Sequence, residues 1–200
     1  MTINVLVACE FSGTVREAFK EMGFNAYSVD LEPSEIPSNQ HYQEDAIKHI
    51  NKHPGFYDLL IAHPPCTYLA VSGARWFNVP ERLEKQREAV KFFLEFTKTD
   101  IPHYAIENPI SIMATKYRKP DQYIQPYEYG HGETKKTSLW LYNLPSLKPT
   151  KIVNGRADRI HKMPPTKNPL IRHQERSRTY KGIAQAMAEQ WGIYLEDVIQ

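Results

Sequence analysis

The chain has 200 residues, enough for one hydrophobic core and a single domain spanning 1–200, and its 41% hydrophobic and 24% charged content is that of a soluble globular protein. A formal net charge of only +2 excludes a global nucleic-acid footprint, so any basic surface has to be local. There is no apolar run of membrane-spanning length, and Met1-Thr2-Ile3-Asn4 lacks a signal peptide's basic start; two cysteines, Cys9 and Cys66, exclude a disulfide scaffold and point to a reducing, cytoplasmic setting with no metal expected.

Ile3 to Cys9 is β-branched and mostly apolar and predicts a first strand, followed by the turn Glu10-Phe11-Ser12-Gly13-Thr14. Val15 to Met22 has helical spacing: Val15, Ala18, Phe19 and Met22 share one face, Arg16, Glu17, Lys20 and Glu21 face out, and Gly23 ends the helix. Asn25 to Asp30 reads as a second strand ending in a carboxylate. Strand, small-residue turn, helix, strand, acid is the layout of a nucleotide-type cofactor half-site, where Asp30 would accept both hydrogen bonds of a ribose diol; the plainer reading is a solvated strand-end acid. One glycine stands where G-x-G-x-x-G has three, which disfavours a pyrophosphate and favours a cofactor without phosphates, S-adenosylmethionine being the candidate. Pro33 to Gln40 is a polar loop. Asp45 either N-caps a short helix, Ala46 to Asn51, or contacts an adenine amino group, or does both.

The chain is organised around Tyr57-Asp58-Leu59-Leu60-Ile61-Ala62-His63-Pro64-Pro65-Cys66. The apolar run reads as a short buried strand that stops at two prolines, which have no N–H to give and a fixed φ. The chain therefore leaves the sheet in a rigid direction and delivers the Cys66 thiol where open α/β sheets place their chemistry; the alternative is a buried structural cysteine. Thr67 to Val79, with Ser72, Gly73, Arg75 and Trp76, has the length of a functional loop. Pro80 opens a long amphipathic helix burying Leu83, Ala89, Val90, Phe93, Leu94 and Phe96. His103 to Glu107 is a further strand, closed by Asn108-Pro109. Cys66 and Glu107 thus end successive strands joined by one crossover helix, and such strands can be neighbours.

Gln125 to Gly132 is loop-like, and Lys135 to Tyr142 becomes an alternating strand, antiparallel at a sheet edge. Pro149 to Thr179 carries Lys151, Arg156, Arg159, Lys162, Lys167, Arg172, Arg176 and Arg178, with only Asp158 and Glu175 opposing, and Pro164, Pro165 and Pro169 argue against regular structure. Such a loop either follows a phosphate backbone or is a solvated surface. Lys181 to Trp191 is the closing helix.

Gly13 in a first-strand turn, Asp30, Asp45, Pro64-Pro65-Cys66 and Glu107-Asn108, in this order, resemble the cytosine-C5 DNA methyltransferases from Val5 to about Trp191. The resemblance implies an α/β, Rossmann-like S-adenosylmethionine-dependent methyltransferase fold: a mostly parallel sheet, helices on both faces, and an antiparallel edge. It implies a cofactor site of Cys9, Glu10, Phe11, Ser12, Gly13, Asp30, Leu31, Asp45 and Pro64, with Cys66 as nucleophile and Glu107, followed by Asn108, gripping the cytosine edge. Lys135 and Lys136 follow Tyr129-Gly130 where the family has Gln-x-Arg-x-Arg. Tyr180 to Met187 matches the family's late Gly-Asn-Ser/Ala-Val segment, with Lys181 in the place of Asn. Beside a sulfonium that cation would suit a cofactor with an extra carboxylate, carboxy-S-adenosyl-L-methionine. Ser72, Arg75, Arg156, Arg159, Arg176 and Arg178 would meet nucleic acid.

The implied chemistry explains the residue types. A thiolate adding to C6 makes C5 enamine-like, and a carboxylic acid at N3 neutralises the charge that develops, so Glu107 has to be protonated or share a proton. A base in duplex DNA has first to be flipped out. An amino-methyltransferase also ends a strand with Pro-Pro but wants an aromatic where Cys66 stands. Three features depart from the family: the missing second glycine, lysines that cannot make arginine's planar fork, and a target-recognition region reduced to the basic loop 150–179. The expectation is a compact enzyme of phage or mobile-element type acting on DNA. RNA or a free cytosine nucleotide is the alternative substrate, and a non-catalytic regulatory relative the alternative class. A homodimer or a partner protein would be a source of specificity.

Overall fold

The computed structural model describes residues 2–77, 79–164 and 174–199. Its centre is a seven-stranded sheet in the order β3-β2-β1-β4-β5-β7-β6. The strands β1 (Asn4–Ala8), β2 (Asn25–Asp30), β3 (His41–Gln43), β4 (Leu59–Ala62) and β5 (His103–Pro109) are parallel; β7 (Thr137–Tyr142) runs antiparallel to β5 and to β6 (Gln122–Ile124). Helices among the described residues include α1 (Thr14–Glu21), α2 (Ala46–Lys52), α3 (Pro80–Glu95), α4 (Met113–Lys116), α5 (Arg159–Lys162) and α6 (Lys181–Ile199).

Successive side chains of a strand point to opposite faces, so strands covered on both faces read as continuous apolar runs. Val5, Val7, Leu59, Ile61, Ala105 and Leu139 pack on one face beneath α1 and α6. Leu6, Leu60, Ala62, Ile106 and Trp140 pack on the other beneath α2 and α3. The β4–β5 register, Leu59 opposite His103 through Ala62 opposite Ile106, makes the strands that carry Cys66 and Glu107 direct neighbours.

Several expectations need correction. Arg16, expected to face solvent, is fully buried, because its guanidinium finds partners inside: it donates to Ser28 Oγ at 2.7 Å, Ser34 Oγ at 3.2 Å, the Ile36 carbonyl at 2.8 Å and Glu17 Oε1 at 2.8 Å. These bonds pin the loop that leaves β2. The sheet edge is β6 rather than β7; β6 and β3 have three residues each, too few for an alternating pattern to register. On α3 only Phe93 is fully buried and Leu83 is 39% exposed, since the helix presses one narrow stripe on the sheet. The closing helix continues past Trp191 to Ile199. At its start, a side-chain carbon on Gly182 would collide with the Tyr129 carbonyl, so the helix approaches that loop as only glycine permits.

Candidate active site

The carboxyl ends of β1, β2, β4 and β5 open on one cavity of about 260 Å³. It is built first by the turn after β1. Cys9 takes a left-handed conformation (φ 58°), and Gly13 another (φ 73°), where a Cβ would lie 2.7 Å from Arg16 Nη2. Between them Glu10 turns inward, 3% exposed, and accepts from the backbone N–H of Val15 at 2.6 Å and of Arg16 at 3.2 Å. The start of α1 is therefore satisfied by the chain's own carboxylate. A helix end occupied in this way offers no anion site, which fits the weak glycine signal. Burial raises the Glu10 pKa, against the pull of His63 and of the two N–H donors.

The Pro64-Pro65-Cys66 turn is the second wall. Asn108, 1% exposed at the end of β5, donates from Nδ2 to the Pro64 carbonyl at 2.9 Å. The Cys66 carbonyl accepts from the N–H of Leu69 and of Ala70 at 3.0 and 2.9 Å, which fixes the exit from the turn. Asn108 thus braces the turn that carries Cys66.

His63 and Glu107 meet between these walls. The register carries them to adjacent strand ends, with Nδ1 3.0 Å from Oε2 and each side chain 12% exposed. The approach is that of an ion pair off the line of a straight hydrogen bond, and His63 Nε2 and Glu107 Oε2 are both enclosed without an aligned partner. Burial alone would lower the His63 pKa, but Glu107 and, behind it, Glu10 outweigh this and raise it. Burial would raise the Glu107 pKa, but His63 and then Lys135 hold it below the usual carboxylate range. The two shifts run in opposite directions, and in each the partner group is the largest influence opposing burial.

Cys66 stands across the cavity with Lys135 and Arg176. Burial pushes its thiol pKa up; Lys135 and Arg176 act in the opposite sense. Glu10, Asp30 and Glu32, which follow β1 and β2, make an acidic end of the lining, while Lys135 and Arg176, with Glu107 opposing them, act on Cys66. The acidic end can take a ribose diol, an ammonium or a sulfonium. Asp30 accepts at Oδ1 from the Glu32 N–H at 2.9 Å, and burial raises its pKa.

Of the residues singled out from the sequence, Cys9, Glu10, Phe11, Ser12, Asp30, Leu31, Pro64, Cys66, Glu107, Asn108, Lys135 and Arg176 are brought together around the cavity. Gly13 shapes the turn behind it. Asp45 N-caps α2, accepting from the Lys48 N–H at 2.8 Å, and Lys181 is exposed at the start of α6; neither is among the lining residues. Lys136 lies over the Tyr123 ring at 4.4 Å, on the β6 side. Ser72 is exposed outside the cavity, and the side chain of Arg75, with Lys167, Arg172, Pro165 and Pro169, lies outside the described residues.

The basic loop is less free than its composition implies, because acids distant in sequence oppose it. Arg159 pairs with Glu133 at 3.1 Å and Arg178 with Glu35, while Arg156 stacks on Tyr127 at 3.5 Å. Gln174 donates to Glu32 at 2.8 Å, so 174–179 crosses the cavity's mouth and places Arg176, Ser177 and Thr179 in its wall. His63 and Glu32 are among the lining residues that sequence reasoning missed; the signal for His63 was the equal distance of His63 and Glu107 past the ends of paired apolar runs.

No family model and no curated protein matches the chain. Among solved structures it is similar to a chain described as a DNA modification methyltransferase encoded within a prophage of E. coli, with a TM-score of 0.52 and 18% identity over 82% of this chain and 56% of that one. It is similar also to the Dnmt2 methyltransferase of S. pombe, with a TM-score of 0.50 and 13% identity over 80% of this chain and 54% of that one. The fold, a mostly parallel sheet with an antiparallel edge and helices on both faces, is the Rossmann-like fold of these methyltransferases. The chain spans little more than half the length of these solved structures. At this fold's ligand position, the crevice at the strands' carboxyl ends, it has the acids that follow β1 and β2 and a thiol acted on by two cations and Glu107.

Proposed function

We propose that the chain is a methyltransferase that acts on cytosine C5 in DNA, with S-adenosylmethionine as donor. The convergence of Cys66, Glu107 and a cation, Lys135, on one cavity whose far end is acidic carries this assignment. Asp30 would hold the ribose, and the acidic wall of Glu10 and Glu32 would face the cofactor's cationic end. S-adenosylmethionine, when bound, supplies an electrophilic methyl group. Cys66 adds to C6 as thiolate, stabilised by Lys135 and Arg176, and the electron pair displaced into the ring is met at N3 by the proton of the Glu107–His63 pair. C5 takes the methyl group, loses its proton to solvent, and the thiolate leaves. Asn108 keeps the thiol on line throughout.

Arg176, on the segment that crosses the mouth, is the cation best placed to meet a substrate phosphate beside the cavity. Specificity beyond that is a matter for a second copy, a partner protein or the substrate itself. The assignment is tested by incubating the protein with S-adenosylmethionine or carboxy-S-adenosyl-L-methionine and cytosine-containing DNA, RNA or free nucleotide, then digesting and weighing the nucleosides. 5-Methylcytosine from DNA is the expected product. Product from RNA or nucleotide alone reassigns the substrate, a carboxymethyl product reassigns the cofactor, and cofactor binding without product on any substrate selects a regulatory relative.

A further inference from the structure

In the chemistry proposed above, Glu107 has to present a proton to N3, yet His63 and then Lys135 favour its anion against the effect of burial. The nearest proton carrier is His63, 3.0 Å away on the adjoining strand end and, like Glu107, in the cavity wall. The other charged groups that act on His63 are Glu10 after β1 and Lys135 before β7, one of each sign. We propose that His63 is the proton-holding partner of Glu107, and that it feeds through Glu107 the proton taken up by the pyrimidine N3 when Cys66 attacks C6.

The step balances. The sulfur–C6 bond forms, the C5=C6 pair moves to C4=C5, and the C4=N3 pair moves onto N3. N3 takes a proton from the Glu107 carboxyl, which takes one from His63 Nδ1, leaving a neutral imidazole protonated on Nε2. When the sulfur–C6 bond breaks, N3 returns the proton along the same path. Nδ1 alone faces Glu107, and Nε2 is enclosed without a partner, so the ring has one productive direction of transfer. His63 acts through Glu107 and is a positioning residue, distinct from the groups that touch the base. Its charge also explains why the carboxylate can stay ionised in the free protein and still deliver a proton on demand: the pair is neutral overall and needs no proton from water in a closed site.

The inference rests on the cytosine-C5 assignment, and its test separates the two. Methyl-transfer rates of the wild type, His63→Gln and His63→Asn are measured from about pH 5.5 to 9.5, beside trapping on 5-fluorocytosine DNA. The wild-type kcat is expected to fall as pH rises past the raised His63 value. Both variants are expected to lose ~10-fold or more in kcat near neutral pH, with the alkaline limb moved about one unit or more to the acid side and the cofactor Kd within about twofold. A limb that stays in place in the variants, or a wild-type rate flat across the imidazole range, overturns the role of His63 while trapping still supports the assignment. A wild type that neither transfers methyl nor traps on DNA overturns the assignment, and this inference with it.

Discussion

Asn108 Nδ2 donates to the Pro64 carbonyl at 2.9 Å, and through that bond the strand that carries Glu107 holds the turn that carries Cys66. One side chain thus ties the Cys66 turn to the end of the strand that carries Glu107. Asn108→Ala leaves a buried carbonyl unpaired and is expected to cost about 1–3 kcal/mol of stability. Because a nucleophile displaced by ~1 Å loses about 10²-fold in rate, kcat is expected to fall by up to that factor with cofactor affinity unchanged. Urea unfolding and steady-state kinetics check both; an unchanged kcat in the folded variant would remove Asn108 from the geometry of the site.

The Cys66 thiol is held up by burial and drawn back by Lys135 and Arg176. Alkylation by iodoacetamide is expected to be slow at neutral pH and to accelerate as pH rises, since the thiolate is the reacting form. Lys135→Met removes a stabilising cation and is expected to slow it by up to roughly tenfold per unit of added pKa. Cys9 is raised further, by burial and then by Asp30 and Asp45, and is expected to label after Cys66. Peptide mapping by mass spectrometry reads the order.

Arg16 ties α1 to Ser28, Ser34 and Ile36 from a fully buried position. Arg16→Met is expected to destabilise the fold by on the order of 3 kcal/mol, because the Ser28 hydroxyl and the Ile36 carbonyl lose a charged donor. It is also expected to weaken S-adenosylmethionine binding, since the loop it pins begins at Asp30. Chemical denaturation and calorimetric titration of the cofactor measure the two effects.

The His63–Glu107 pair gives stability a pH window. His63 has a raised pKa, so its contribution is full below the ordinary imidazole value of 6.5 and is lost as pH rises through the raised one. Glu107 has a depressed pKa, so its contribution is present above the ordinary carboxylate value of 4.5 and is lost as pH falls through the depressed one. The Tm advantage of the wild type over Glu107→Gln is therefore expected to peak between those ordinary values and to shrink on both sides. Thermal melts across the range test this.

The sheet and its crossover helices were legible because both faces of β1, β4 and β5 are covered, so their apolar runs are unbroken and stop at prolines or acids. Cys66 and Glu107 could be placed at neighbouring strand ends for the same reason. Pairings between residues far apart in the chain could not be read. Arg178 meets Glu35 across 143 residues, and a count of charges within the basic loop misses that neutralisation. Arg16 sits at an outward helical position by sequence and is buried because the β2 loop folds back over it. His63, one residue past a strand end, gains its meaning only from the β4–β5 register.

The most direct measurement is the intact mass of the protein after incubation with 5-fluorocytosine DNA and S-adenosylmethionine, followed by peptide mapping. The account expects a covalent complex of one protein with one oligonucleotide, attached at Cys66 and absent from Cys66→Ser. A Cys66→Ser variant that still transfers methyl groups at the wild-type rate, or a product formed with no adduct at Cys66, would contradict it.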